Sequence, residues 1–186
     1  MQTSGSGAEG SRQRGTTVLQ EGVRRSLAHA DDLGTIGEVV RTAARELAQA
    51  QGATFVLRDG EDCFYADEDA VTPLWKGQRF PMRHCISGWA MLQGATTVVP
   101  DIEVDDRIPL EAYRPTFVRS LVVVPVGHPE PVAAIGAYWA EQRAADEATV
   151  AALEDLAAET AAAIARIGLD QAPWAPTFGR RQTGLI

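Results

Sequence analysis

The sequence predicts an α+β domain, an antiparallel sheet with helices gathered outside it. Three observations predict it. Ile36, Val39, Val40, Ala43, Ala44, Leu47 and Ala48 repeat with helical spacing, and a second long helical pattern fills the stretch before Ile167. Between them lie short apolar runs separated by turn signals. The resulting order is helix, helix, hairpin, short helix, strand, loop, hairpin, long helix, which suits antiparallel pairing.

The elements follow in order. Residues 1–15 are rich in Gly and Ser and read as a flexible tail. A first helix is expected over Thr16 to His29, with Leu19, Val23, Leu27 and Ala30 on one side. Thr35 and Glu38 form a T-x-x-E capping box for the second helix, and Gly52 is placed to end it. Ala53 to Leu57 is a short apolar strand, Asp59-Gly60 a hairpin turn, and Cys63 to Ala66 the return strand. A polar loop with Pro73, Trp75 and Lys76 leads to a short helix, Ser87 to Leu92, closed by Gly94. Thr96 to Val99 is a strand stopped by Pro100, followed by an acidic loop from Asp101 and a helical turn within Leu110 to Val118. Leu121 to Val126 is almost continuously apolar, so both its faces should be covered; Val132 to Trp139 is its partner. Asp146 caps the last helix, which Gly168 stops. The domain is thus 16–168, and 169–186 is a C-terminal tail.

The 186 residues fit one domain, which buries roughly two thirds of its unfolded surface. A net charge of −8 repels phosphate backbones, so nucleic acid and anionic membrane are poor partners. No apolar run is long enough to span a bilayer, and Met1 to Gly15 is no signal peptide. Two cysteines, Cys63 and Cys85, make no disulfide framework, and a cytoplasmic location with reduced thiols is expected. The chain lacks asparagine and has Lys76 as its single lysine, which suggests a GC-rich bacterial genome.

Few residues announce chemistry. His84 and Cys85 are adjacent, but neighbours rarely send both side chains into one site, and a half-buried cysteine at a helix start is the simpler reading. His29, His84, His128, Cys63 and Cys85 lack the paired spacing of a zinc site. Asp101, Glu103, Asp105 and Asp106 lack the glycine and alternating ligands of a calcium loop; they read as turn caps paired with Arg107 or Arg114. No phosphate-binding loop or catalytic triad is present, so no catalytic residue and no metal ligand is assigned, and the chain is not expected to be an enzyme. Trp75, Phe80, Trp89 and Tyr113 fall in the irregular middle, where they serve core packing or a pocket equally well.

That middle carries a resemblance. The runs Ile86-Ser87-Gly88-Trp89-Ala90-Met91, Val99-Pro100-Asp101-Ile102, Asp106-Arg107-Ile108-Pro109, Tyr113-Arg114-Pro115-Thr116-Phe117-Val118-Arg119-Ser120-Leu121 and Val124-Pro125-Val126 together resemble GAF domains. They are most similar to those placed before the kinase module of bacterial sensor histidine kinases. The resemblance implies an antiparallel sheet of five or six strands, helices one, two and last on one face of it, a ligand pocket on the other, and sensing rather than catalysis. Cyclic-nucleotide members carry an Asn-Lys motif that a chain without asparagine cannot have. Bilin-binding members place His after Cys, whereas here His84 precedes Cys85. Methionine sulfoxide reductases of this type use a cluster of pocket cysteines, of which this chain has two at most.

The expectation is therefore a stand-alone sensory module in bacterial signal transduction, since no kinase, cyclase or DNA-binding module follows Ile167. Its output would travel to a sensor kinase or another signalling protein. Ligand contacts are assigned to Trp75, Phe80, His84, Cys85, Trp89, Asp101, Tyr113, Arg114 and Phe117. Arg114 would hold an anionic group, Asp101 would orient a donor, and Trp89 would supply a flat wall. The alternatives are a dimerisation adaptor without ligand and a redox sensor or reductase built on Cys85. A homodimer is expected through Leu19, Val23 and Leu27 and through residues 153, 156, 160, 163 and 167, which step like a short coiled-coil seam. In the tail, Trp174 and Phe178 around Pro176, with Arg180 and Arg181, look like anchors for a groove.

Overall fold

The computed structural model describes residues 6–168, with side chains from residue 17 onward. The expected docking of Trp174 and Phe178 lies outside the described residues. Helices α1 (Ser6–His29) and α2 (Leu33–Ala48) precede the hairpin β1 (Gly52–Asp59) and β2 (Asp62–Ala70). A short strand β3 (Arg79–Pro81) runs into one 3₁₀ turn, Met82–His84, and helix α3 (Ile86–Gln93). Then come β4 (Thr97–Val99), the single turn α4 (Leu110–Tyr113), β5 (Ser120–Val126), β6 (Ala133–Trp139) and α5 (Glu147–Ile167). The six strands form one sheet in the order β3-β2-β1-β6-β5-β4, and every neighbouring pair is antiparallel.

Strand alternation divides the core in two. Phe55 and Leu57 of β1, Phe64 of β2, Val122, Val124 and Val126 of β5, and Ile135 and Trp139 of β6 join the apolar sides of α1, α2 and α5. Val56, Cys63, Tyr65, Leu121, Val123 and Tyr138 enter a second cluster with α3 and the long connections. The inner strands β5 and β6, neither at an edge, are buried on both faces along nearly all their length, as their apolar runs require.

Several boundaries differ from those read in the sequence. The backbone of α1 begins at Ser6, inside the segment read as a flexible tail, because elongating an existing helix adds one hydrogen bond per residue fixed. Asp32, not Thr35, caps α2; its carboxylate accepts the Thr35 amide at 2.8 Å. Gln49 ends that helix in the left-handed region (φ 48°), which frees Gly52 for the sheet. There a Cβ would sit 2.9 Å from the Phe117 ring, so the position accepts only glycine without displacement. Strand β2 runs to Ala70 because Asp67 and Asp69 have partners on α2, Arg41 at 2.7 Å and Arg45 at 2.5 Å. The seam of α5 is used inside the chain: Leu153, Leu156, Thr160 and Ala163 are buried, and so is Leu27 of α1.

No helix among the described residues is long and apolar enough to cross a membrane.

Candidate functional site

The sheet face opposite α1, α2 and α5 is closed by the long connection between β2 and β5, and its floor is packed with rings. Trp75 lies at the centre. Its ring centroid is 4.8 Å from that of Tyr113, 5.5 Å from Tyr138 and 5.5 Å from Tyr65, all edge-on. Phe80 packs edge-on against the other side of Tyr65 at 5.5 Å. The loop that carries Trp75 is held by Glu68, whose carboxylate accepts the amides of Leu74, Trp75 and Lys76 at 2.8–2.9 Å. The Trp75 indole N–H donates to the Ala112 carbonyl at 3.2 Å.

A string of polar groups crosses this apolar cluster. The hydroxyls of Thr54 and Tyr138 are 2.9 Å apart, and those of Tyr65 and Ser87 are 3.3 Å apart. Ser87 also interacts with Tyr138, and Tyr65 with the Cys85 sulfur. The string ends on the thiols of Cys85 and Cys63, which interact with each other. Each member thus has a partner, which is the condition for tolerating buried polar groups. Burial pushes all three tyrosine hydroxyls well above their ordinary value. The two thiols move in opposite directions. Cys63 is pushed up by its hydrogen-bonding interaction with Cys85 and then by burial, so it keeps its proton. Cys85 is lowered, chiefly by Cys63, with smaller help from the Gly88 and Ser87 amides at the start of α3. Those amides act electrostatically, short of a capping hydrogen bond of normal geometry.

Beside the filled face is a cleft of about 420 Å³, lined by Ile102, Glu103, Leu110, Tyr113, Arg114, Thr116, Val118 and Arg119. Both of its arginines sit in exposed ion pairs, Arg114 with Glu111 at 2.7 Å and Arg119 with Glu103 at 2.6 Å.

Of the residues assigned from sequence, Trp75, Phe80, Cys85, Trp89, Tyr113 and Phe117 do meet in this one cluster. Trp89 is half-buried, and its ring is covered by the Arg107 guanidinium at 4.7 Å. Asp101 is occupied as a turn cap, accepting the Glu103 amide at 2.9 Å and the Gln142 side-chain amide at 2.8 Å. His84 is exposed in the 3₁₀ turn, outside the cluster. Arg114 is exposed and lines only the cleft. Arg107 pairs with Asp105, as the reading of the acidic loop anticipated, whereas Arg114 turns instead to Glu111 on its own helical turn. Among the described residues no three His, Cys, Asp or Glu side chains gather closely enough to hold a metal ion.

A family model for the GAF domain matches residues 30–165. The chain belongs to the GAF domain family. Solved structures share the fold at low identity. The GAF domain of a phosphoenolpyruvate-protein phosphotransferase from Coxiella burnetii is 15% identical, with a TM-score of 0.71 over 81% of this chain and 93% of that one. The free methionine-R-sulfoxide reductase from Neisseria meningitidis, in complex with its substrate, is 18% identical, with a TM-score of 0.70 over 82% and 89%. The chromophore-binding domain of a bacteriophytochrome from R. palustris is 13% identical, with a TM-score of 0.70 over 83% and 62%. Comparison with curated proteins gives no match.

In this GAF domain the cluster residues not assigned as ligand contacts from sequence include Thr54, Cys63, Tyr65, Ser87 and Tyr138. Period-2 alternation already puts Cys63 and Tyr65 on one face of β2. What alternation cannot supply is the partner across the cluster. That α3 starts beside β2 depends on Gly88, where a Cβ would lie 2.1 Å from the Met82 carbonyl oxygen.

Proposed function

We propose that this GAF domain is a non-catalytic regulatory module that takes a small carboxylate-bearing ligand in the cleft between the acidic loop and α4. The observation that carries the reading is the placement of the cleft. The deep face is filled by the domain's own Trp75, Tyr113, Tyr65 and Tyr138, so the open volume lies at its rim. About 420 Å³ suits a small metabolite. Ile102, Leu110, Tyr113 and Val118 supply an apolar floor, and Arg114 and Arg119 supply guanidinium groups for a carboxylate. Their present partners, Glu111 and Glu103, are exposed, and such pairs are worth only about 0–1 kcal/mol, so a ligand displaces them at little cost. The ligand would bear on Tyr113, and through it on Trp75 and the sheet. The test is a thermal-shift and calorimetric screen of small mono- and dicarboxylates. A hit should lose about tenfold in affinity in Arg119→Ala, the loss of one charge-assisted hydrogen bond. A screen with no stabilising carboxylate, or hits indifferent to both arginines, overturns the reading in favour of an adaptor with a filled pocket.

The output is assigned to a homodimer, with a bacterial signalling protein as the receiver. Because the α5 seam is internal, the support for pairing shifts to the middle of α1, where Val18 is 72% exposed on the α1–α2 groove that it lines with Leu19, Val23 and Val39. Light scattering at tens of micromolar should give a dimer mass that Val18→Asp lowers; a monomer in both removes the proposal.

A further inference from the structure

We propose that Cys85 and Cys63 form a peroxide-reactive dithiol, in which Cys85 is oxidised first and Cys63 resolves it as an intramolecular disulfide between β2 and the start of α3. This goes beyond the ligand reading and does not depend on it.

Four observations converge. The first is register. Cys63 and Tyr65 share one face of β2, while Cys85 and Ser87 flank the first residue of α3. The Tyr65 and Ser87 hydroxyls are 3.3 Å apart, and Cys63 and Cys85, each two residues earlier, are buried in the same cluster. There each thiol bears on the proton affinity of the other. The second is that the crossing is clamped from both ends. The Met82 amide donates to the Glu61 carbonyl at 2.9 Å, which fixes the 3₁₀ turn to the β1–β2 turn just before β2. Gly88 lets that turn lie against α3 with no room for a Cβ. The third is asymmetry of access. Cys85 is 7% exposed and Cys63 0%, so a solvent-borne oxidant the size of hydrogen peroxide meets Cys85 alone. The fourth is asymmetry of charge: Cys85 is lowered, chiefly by Cys63, and is the more readily deprotonated of the two, while Cys63 is raised and holds its proton.

The chemistry balances with one hydroperoxide. The Cys85 thiolate attacks one peroxide oxygen; an S–O bond forms, the O–O bond breaks, and the departing hydroxide takes a proton as water. Cys85 is then a sulfenic acid, oxidised by two electrons, and the peroxide is reduced. Cys63 sulfur next attacks Cys85 sulfur. The S–S bond forms, the S–O bond breaks, and the proton from Cys63 leaves with the hydroxyl as a second water. A dithiol reductant restores both thiols by exchange. Oxidation would fasten α3 covalently to β2, directly under the Tyr65–Trp75 contact.

The test uses the full chain, reduced and freed of reductant, then exposed to a slight excess of hydrogen peroxide at neutral pH. Intact mass should fall by two hydrogens, and peptide mapping should join the Cys63 and Cys85 peptides within one chain, reversibly with dithiothreitol. The rate should exceed that of free cysteine by about tenfold. Cys63→Ser should stop at a dimedone-reactive sulfenic acid on Cys85, and Cys85→Ser should leave Cys63 reduced. Wild-type mapping at early times gives the order of oxidation even if a serine variant folds badly. The proposal falls if Cys63 is modified first, if Cys85 goes on to sulfinic acid beside a free Cys63, if only interchain disulfides form, or if neither thiol outpaces free cysteine.

Discussion

Tyr138 buries both ring and hydroxyl, and its two closest neighbours decide whether that is tolerated. Thr54 gives the hydroxyl a partner at 2.9 Å, and Gly136 leaves it room, since a Cβ there would sit 2.3 Å from the Tyr138 oxygen. Thr54→Val should therefore destabilise the fold by about 1–3 kcal/mol, the cost of weakening the contacts of a buried polar group. Gly136→Ala should cost at least as much by overpacking, about 1–3 kcal/mol or more. Urea unfolding read by near-ultraviolet circular dichroism checks both. The three tyrosines of the chain make a pH prediction. All have hydroxyls raised by burial, so the folded state holds protons that the unfolded state releases above about pH 10. Their contribution to stability is complete below that pH and is lost as pH rises through it. Absorbance titration should show no tyrosinate in the folded chain, with all three ionising together as the protein unfolds in alkali. A single tyrosine titrating near its ordinary value in folded protein would contradict the arrangement.

At the scale of elements, helix caps and a carboxylate-held loop do most of the positioning. The Asp32 carboxylate is lowered by the N–H and then the hydroxyl of Thr35, and that of Asp146 by the hydroxyl and then the N–H of Thr149. Their folded values lie below the unfolded one, so the stability they add is present above about pH 4 and disappears as pH falls through the lowered range. The acid limb of a stability curve should flatten in the Asp32→Asn/Asp146→Asn double variant, because Asn also caps but does not titrate. The loop from Val71 to Gln78 relies on Glu68, which accepts three backbone amides. Glu68→Ala should cost roughly 2–3 kcal/mol and red-shift the fluorescence of Trp75, which is held at 5% exposure by that loop. Unchanged stability and emission would mean that ring packing alone keeps the loop in place. The helical period, the hairpin at Asp59-Gly60 and the caps at Gly94, Asp146 and Gly168 were legible in the sequence because each is set within a few residues. Strand β3 was not, since its Arg79-Phe80-Pro81 pairs only through β2 and has no pattern of its own.

For the molecule as a whole, the double stripe on α5 shows how a correct periodicity supports a wrong partner. Leu153, Leu156, Thr160 and Ala163 step like a coiled-coil seam, yet all four are buried within one chain. α5 lies against α2 and α1 as well as against the sheet, so both stripes are consumed within the chain. Leu156→Ala should lower stability by about 2–5 kcal/mol at unchanged molecular mass. A loss of mass without loss of stability would return the seam to a dimer interface.

By itself the sequence determined the fold class and the order of the elements apart from β3, because hydrophobic period, turn residues and caps act over short stretches of chain; the family followed from the resemblance of the motif runs between Ile86 and Val126. It also determined that six of the nine assigned ligand residues are apolar or aromatic enough to gather under the connection from β2 to β5. Only the tertiary structure decided what they do there. Trp75, Tyr113 and Tyr138 fill the face instead of lining an open pocket, Arg114 stays outside it, and Cys63 comes to lie beside Cys85 across twenty-two positions of chain. The reason is physical: side-chain direction follows from local backbone geometry, but occupancy of a buried volume depends on which distant strands and helices are brought to it.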